Sequence, residues 1–332
     1  MSEQADVLVV FGITGDLARR MTLPALYRLT EQKILTCKVV SVGRRPFAEG
    51  ELEDVVRKAV TDAVEDVDEA VLSDLLGRLV YSAGDVNDTA LYERLREELR
   101  EARSRVFYLA IPPDSFLAVA EGLAAVGLTE NARLVVEKPF GTDLASAREL
   151  NARLTAIVPE ERIFRIDHFL GKEPVQDILY FRFANALFEP VWSREDVDSI
   201  QITLAEDFGV DGRGSFYDRV GALRDVVQNH LLQVLALAAM EPPSGGDDAL
   251  ARRRLDVFRS MPSADPRNAV RGQYEGYREI EGVRPDSDTE TFVALRLVID
   301  PSLKGVTAGT TTGCEKPERS PRPTTPRRGA DW

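Results

Sequence analysis

VLVVFGITGDLARR, residues 7–20, decides how the rest of the chain is read. A run of β-branched and aromatic residues meets a turn at Gly12 and Gly15, then passes directly into an amphipathic pattern that lasts through Leu29. An uninterrupted apolar run of this kind suits a parallel strand buried on both faces. The rhythm recurs in KVVSVG (38–43), LVYSAGD (79–85), RVFYLAIPP (105–113) and RLVVEKPFG (133–141), with helical stretches between them. Right-handed crossovers convert such alternation into a doubly wound sheet, so the expected fold class is α/β, with a Rossmann-type domain over residues 1–175.

Beyond Glu173 the alternation stops. PVQDILYFRFANALF reads as a helix, VDSIQITLAEDF (197–208) as a strand, residues 215–241 as one long helix, and TFVALRLVI (291–299) as a last strand. Irregular mixing of this kind predicts an α+β domain over 176–308. Residues 309–332 contain four prolines and, apart from Trp332, no large apolar side chain. So little apolar surface cannot offset ordering entropy, and the segment is expected to be disordered.

The chain has 332 residues and a formal net charge of −13, which argues against nucleic acid or an anionic membrane as a partner. It lacks the apolar run of about 18 residues that a membrane span requires. The N-terminal MSEQADVLVVFG has no basic region before its apolar run, unlike a secretory leader. Cys37 and Cys314 are far apart, in keeping with free thiols in a reducing cytosol and with no metal site.

Several residue groups carry candidate chemistry. Gly12 and Gly15 would let a backbone approach a pyrophosphate at a helix N-terminus, although a G-x-x-G turn also serves as a plain strand-to-helix connection. The second strand ends in Arg44 and Arg45, where an NAD-selective fold places an acid. A guanidinium there suits a 2′-phosphate and hence NADP over NAD, the alternative being a solvated basic pair. His168 and Lys172, in RIDHFLGKE (165–173), stand before a helix and would meet an anion. Lys138 follows a strand. His230 lies in a helix five positions after Asp225, roughly 140° around at about 100° per residue, so the two would flank a ligand. Glu206 ends the strand QITLAE. Taken alone, His230, Asp225 and Glu206 are each better read as structural.

Taken in order, they resemble the glucose-6-phosphate dehydrogenase family. The loop GITGDLA, the EKPFG turn, RIDHFLGKE with Phe169 for the family's tyrosine, QITLAE and GALRDVVQNH run in family order between Val7 and Asp300. The resemblance implies an NADP-dependent oxidation of glucose 6-phosphate at C1, giving the 6-phosphogluconolactone at the start of the pentose phosphate pathway. It implies His230 as the base and Asp167 as its carboxylate partner. His168 and Lys172 would hold the phosphate, and Lys138, Glu206 and Asp225 the sugar. Gly12, Thr14, Gly15, Asp16, Leu17, Arg44 and Lys138 would serve the cofactor, with NAD as its alternative.

The resemblance also implies a cytoplasmic homo-oligomer, a cis bond before Pro139, and a second domain with a large, mostly antiparallel sheet. Family members continue well past the point corresponding to residue 300. The abrupt change there suggests a truncated or frameshifted product whose second domain and subunit interface are incomplete, with strand 291–299 left as an exposed edge. Met21 stands where the family usually has a third basic residue. Two further alternatives remain: a non-catalytic NADP-binding remnant, and a dehydrogenase of another sugar phosphate.

Overall fold

The structure is a computed structural model describing residues 4–141, 143–193, 195–246 and 248–299, and the backbone of 307–314. The chain divides into two compact units, Met1–Asp167 and His168–Trp332.

The first unit alternates strand and helix as the sequence predicts. Its elements are β1 (Val7–Phe11), a π-helical turn (Ala18–Thr22) leading into α1 (Leu23–Glu31), β2 (Lys38–Gly43), α2 (Glu51–Thr61), α3 (Glu69–Arg78), β3 (Leu79–Ala83), α4 (Thr89–Glu98), β4 (Arg105–Leu109), α5 (Phe116–Ala125), β5 (Ala132–Glu137), α6 (Leu144–Ile157) and β6 (Ile163–Ile166). All five strand pairings are parallel, in the order β3-β2-β1-β4-β5-β6. That is the doubly wound dinucleotide-binding order, with the reversal between β1 and β4. Alternation of side chains along β1 explains the two layers of helix. Val7, Val9 and Phe11 enter one apolar cluster with Leu91, Phe107 and Phe116, while Val10 enters another with Leu23, Tyr27 and Val56. Asp68 and Asp88 cap α3 and α4 by accepting the N–H groups of Ala70 and Ala90.

The second unit contains α7 (Glu173–Phe183), β7 (Ser199–Glu206), α8 (Gly214–Ala222), a π-helix (Leu223–Leu231), α9 (Leu232–Ala239), α10 (Ala249–Arg259), β8 (Ala269–Gly272), β9 (Phe292–Leu297) and β10 (Thr307–Cys314). The division after Asp167 follows from the packing of Phe169, Leu170 and Val175 with Leu235, Ala236 and Ala239 in the second unit's core. The sheet has four strands in the order β7-β10-β9-β8, with β10 parallel to β7 and the other pairs antiparallel.

Two expectations change here. β9 is not an edge, because β8 and β10 flank it. The polar segment from 309 is not wholly irregular, because its first residues form most of β10. Backbone pairing on both sides, aided by the β propensity of threonine, overrides the polar composition. Residues 315–332 of that segment lie outside the described residues.

The expected single helix over 215–241 is three pieces. Gly221 leaves helical geometry at φ 71°, ψ 172°, and the helix resumes in π form. At its far end the buried Arg182 guanidinium donates to the carbonyls of Leu237 (2.6 Å) and Met240 (2.9 Å), next to α9's last residue. A cation suits the negative end of a helix. Burial pulls its pKa down to about 10.

Candidate active site

In the first unit, the residues singled out by the sequence gather at the carboxyl ends of parallel strands. Gly12 turns out of β1 at φ 86°, and a Cβ there would lie 2.2 Å from the Ala110 carbonyl oxygen. Only glycine fits, and the turn is locked by Gly12 N–H donating to Val42 O at 2.9 Å and Gly15 N–H to Gly12 O at 2.9 Å. Arg19 N–H donates to Gly15 O at 3.1 Å. The amides of Asp16, Leu17 and Ala18 therefore lie ahead of that bond, at the positive end of the helix. Gly43 brings β2 against the loop, since a Cβ on it would stand 3.2 Å from the Thr14 methyl and 2.5 Å from the Tyr81 hydroxyl. A tight glycine cradle with outward amides, at the strand-order reversal, fits a dinucleotide's pyrophosphate.

The two arginines after β2 part company. Arg45 is committed: it pairs with Glu51 at 2.5 Å and lies over the Phe47 ring, 4.9 Å from its centroid. Arg44 is exposed and, among the described residues, makes no hydrogen bond or ion pair. It does contribute, after the hydrogen bonds from Asn87, to holding the Asp85 carboxyl below its ordinary value. At the ends of β5 and β6, Lys138 and Asp167 form an ion pair at 3.6 Å with side chains 20% and 14% exposed. The Lys138–Pro139 bond is cis. Met21 lies 46% exposed in the π turn after the loop.

In the second unit, a short 3-10 turn, His168–Gly171, leads to Lys172, which occupies the N-cap position of α7 without a side-chain cap. His168 and Lys172 are both exposed. Between them Phe169 turns inward, and its ring meets the His230 imidazole with centroids 4.2 Å apart and planes inclined by 31°. The Lys172 ammonium stands 5.2 Å from the same ring centre. Phe169, the departure from the family motif, thus links the His168–Gly171 turn to the candidate base.

The π-helix alters the relation of Asp225 to His230. In π geometry the backbone bonds join residues five apart, so these two lie one turn apart on nearly the same face, not 140° apart. Both are half-buried. Val227 and Leu231 fix the opposite face, packing with Ile202 and Leu204 of β7 and with Val293 of β9. Full burial of each such side chain stabilises by about 1.5–3 kcal/mol. Glu206, the last residue of β7, shares the half-buried face with Ile202 and Leu204. The sugar-facing candidates of this unit are therefore carried by two elements that pack directly on each other.

Sequence reading missed the network beneath the helix. Asp218, 6% exposed, accepts Tyr277 Oη at 3.2 Å, Arg284 Nε at 2.8 Å and the Ser287 hydroxyl. Burial raises its pKa, but the hydrogen bonds from Ser287, Arg284 and Tyr277 outweigh that and hold the carboxyl below its ordinary value. The only sequence trace of this arrangement is Gly221, in the middle of an otherwise helical run.

The order β3-β2-β1-β4-β5-β6 with its glycine cradle places the first unit in the Rossmann dinucleotide-binding class. Residues 9–177 match the NAD binding domain of glucose-6-phosphate dehydrogenase, and 179–313 match that enzyme's C-terminal domain. The chain belongs to the glucose-6-phosphate dehydrogenase family. It is 53% identical over 297 residues to glucose-6-phosphate 1-dehydrogenase 1 of Mycobacterium tuberculosis, a match covering 89% of this chain and 64% of the relative. To the enzyme of Dickeya dadantii it is 41% identical over 317 residues, covering 90% and 65%. The crystal structure of the Mycobacterium avium enzyme superposes with a TM-score of 0.84 at 52% identity, covering 93% of this chain and 70% of that one. A glucose-6-phosphate dehydrogenase in complex with glucose 6-phosphate gives 0.86 at 33% identity, covering 95% and 70%. The chain thus spans about two-thirds of the length of these relatives.

Proposed function

We propose that the chain oxidises glucose 6-phosphate at C1 to 6-phosphogluconolactone, with NADP+ as acceptor. The observation that carries this reading is the π-helix of the second unit, which sets the half-buried His230 against Phe169 and on one face with Asp225. His230 takes the proton of the C1 hydroxyl as general base. Asp167 is its carboxylate partner, favouring the imidazolium. The face of the Phe169 ring favours the same cation. When bound, the nicotinamide accepts the C1 hydride. His168 and Lys172 hold the 6-phosphate, and Lys138, Glu206 and Asp225 bond sugar hydroxyls, so that their main effect is orientation.

In the first unit, the loop Gly12, Thr14, Gly15, Asp16 and Leu17 holds the pyrophosphate, and Lys138 borders the cofactor. Arg44 meets the 2′-phosphate, which is the basis for preferring NADP to NAD. Its lack of an ion pair among the described residues, against the commitment of Arg45 to Glu51, supports that assignment. The decisive test is NADPH formation by the full chain with glucose 6-phosphate. Turnover that survives His230→Ala overturns the base assignment. NADP+ binding in a titration, with no turnover of any hexose phosphate, overturns the enzyme reading in favour of a binding protein.

A further inference from the structure

The helix that carries Asp225 and His230 begins with an unfavourable break. Gly221 departs from helical dihedrals, and Ala222, at the N-cap position of the π-helix, has no side chain able to cap it. The first amides must find acceptors elsewhere. One residue far along the chain supplies both. The Glu290 carbonyl accepts the N–H of Ala222 at 3.0 Å, and its Oε1 accepts the N–H of Leu223 at 3.0 Å. The carboxylate lies flat against Gly221, where a Cβ would come within 2.6 Å of Oε1. Glu290 is only 8% exposed. A carboxylate buried that far is costly unless it meets donors, and the positive end of a helix provides them.

Glu290 is itself fixed from both sides. Thr289 Oγ1 donates to the Asp218 carbonyl at 2.7 Å, and the Gln273 amide donates to the carbonyls of Ser287 (2.9 Å) and Thr289 (2.8 Å). Thr291 Oγ1 accepts from Tyr274 N–H at 2.8 Å. β9 follows at once, and its Val293 packs on Ala222, Val227 and Leu231. The helix is therefore pinned at its head by Glu290 and along its flank by Val293.

We propose that Glu290 is a positioning residue that holds the π register of this helix and so the placement of Asp225 and His230. The functional consequence rests on the reading of His230 as the base. A π-helix differs from an α-helix by a change of register, so losing its head anchor has a discrete outcome. Reversion to α geometry shifts the register by one residue and so turns the side chains past the change by about 100° in all.

The chain's two histidines supply the test. In the full chain labelled with ¹³C-histidine, His168→Gln assigns the two imidazole signals. Glu290→Ala is expected to move the His230 signal and its pH titration and to leave His168 unchanged, while Glu290→Gln, which keeps the acceptor oxygen, restores the wild-type position. A folded Glu290→Ala in which neither signal moves overturns the proposal, and so does one in which both move together. Should Glu290→Ala not fold, Glu290→Asp withdraws the acceptor from Leu223 N–H and is judged by the same two signals. If the full chain turns over glucose 6-phosphate, kcat/KM of Glu290→Ala falls by about 10–100-fold. If it does not, the dehydrogenase reading fails while the histidine signals still decide the role of Glu290.

Discussion

In the first unit the chemically suggestive residues sit at the ends of parallel strands; in the second, Asp225 and His230 sit on a helix that departs from α geometry. The ladder places the ends of β1, β2, β5 and β6 at one edge of the sheet, so the first site follows from topology alone. The second depends on a helical register that Gly221 breaks and a distant carboxylate repairs. One site is a property of the fold, the other of a local distortion held in place by neighbours.

That contrast can be broken most severely at His230. His230→Ala is expected to lower kcat by about 10²–10⁴-fold, the usual range for a general base, while NADP+ affinity in a binding titration stays unchanged. Gly12→Ala should do the reverse. Its Cβ meets the Ala110 carbonyl at a positive φ, so strain of about 1–3 kcal/mol should lower the melting temperature and weaken NADP+ binding about tenfold or more. Arg44→Ala should raise KM for NADP+ about tenfold and leave that for NAD+ alone, since only the 2′-phosphate needs the guanidinium.

The comparison sharpens at Asp218, which supports the second site without belonging to it. Its folded pKa lies below its unfolded one, so its stabilisation is fully present above the ordinary carboxylate value of about 3.9 and is lost as pH falls through the lower folded value. Asp218→Asn should cost about 2 kcal/mol at neutral pH and flatten the loss of stability on acidification, as measured by urea unfolding across pH. The smallest expected effect is that of Phe169→Tyr, which restores the hydroxyl of the family motif on the ring that lies against His230. It should tighten sugar-phosphate binding by a few-fold, worth about 1 kcal/mol, with kcat little changed.

The first unit was legible because its signals are local. Val7–Phe11 has to be buried on both faces, and Gly12 has to turn, whatever the rest of the chain does. His230 and Asp225 could be singled out as candidates in the sequence, but their geometry could not. A helical run in sequence assumes α periodicity, and nothing in GALRDVVQNH announces the π register. Glu290 was invisible for a different reason. In DSDTETF it reads as one more solvated acid, and its burial arises only when Gln273, Asp218 and Thr291 fold that segment back on the helix. β10 was misjudged because composition describes side chains, whereas its place is set by backbone pairing on both sides.

That strand carries a consequence for assembly in time. β7 ends at Glu206, yet among the described residues it joins the sheet through β10, which begins at Thr307. A chain emerging from the ribosome can close β8 on β9 early, but the strand bearing Glu206 waits for a partner about a hundred residues later. Such long-range parallel closure is slow. The second unit should therefore mature late and in one step, well after the first has become protease-resistant, an order that pulse-labelled hydrogen exchange during refolding would display.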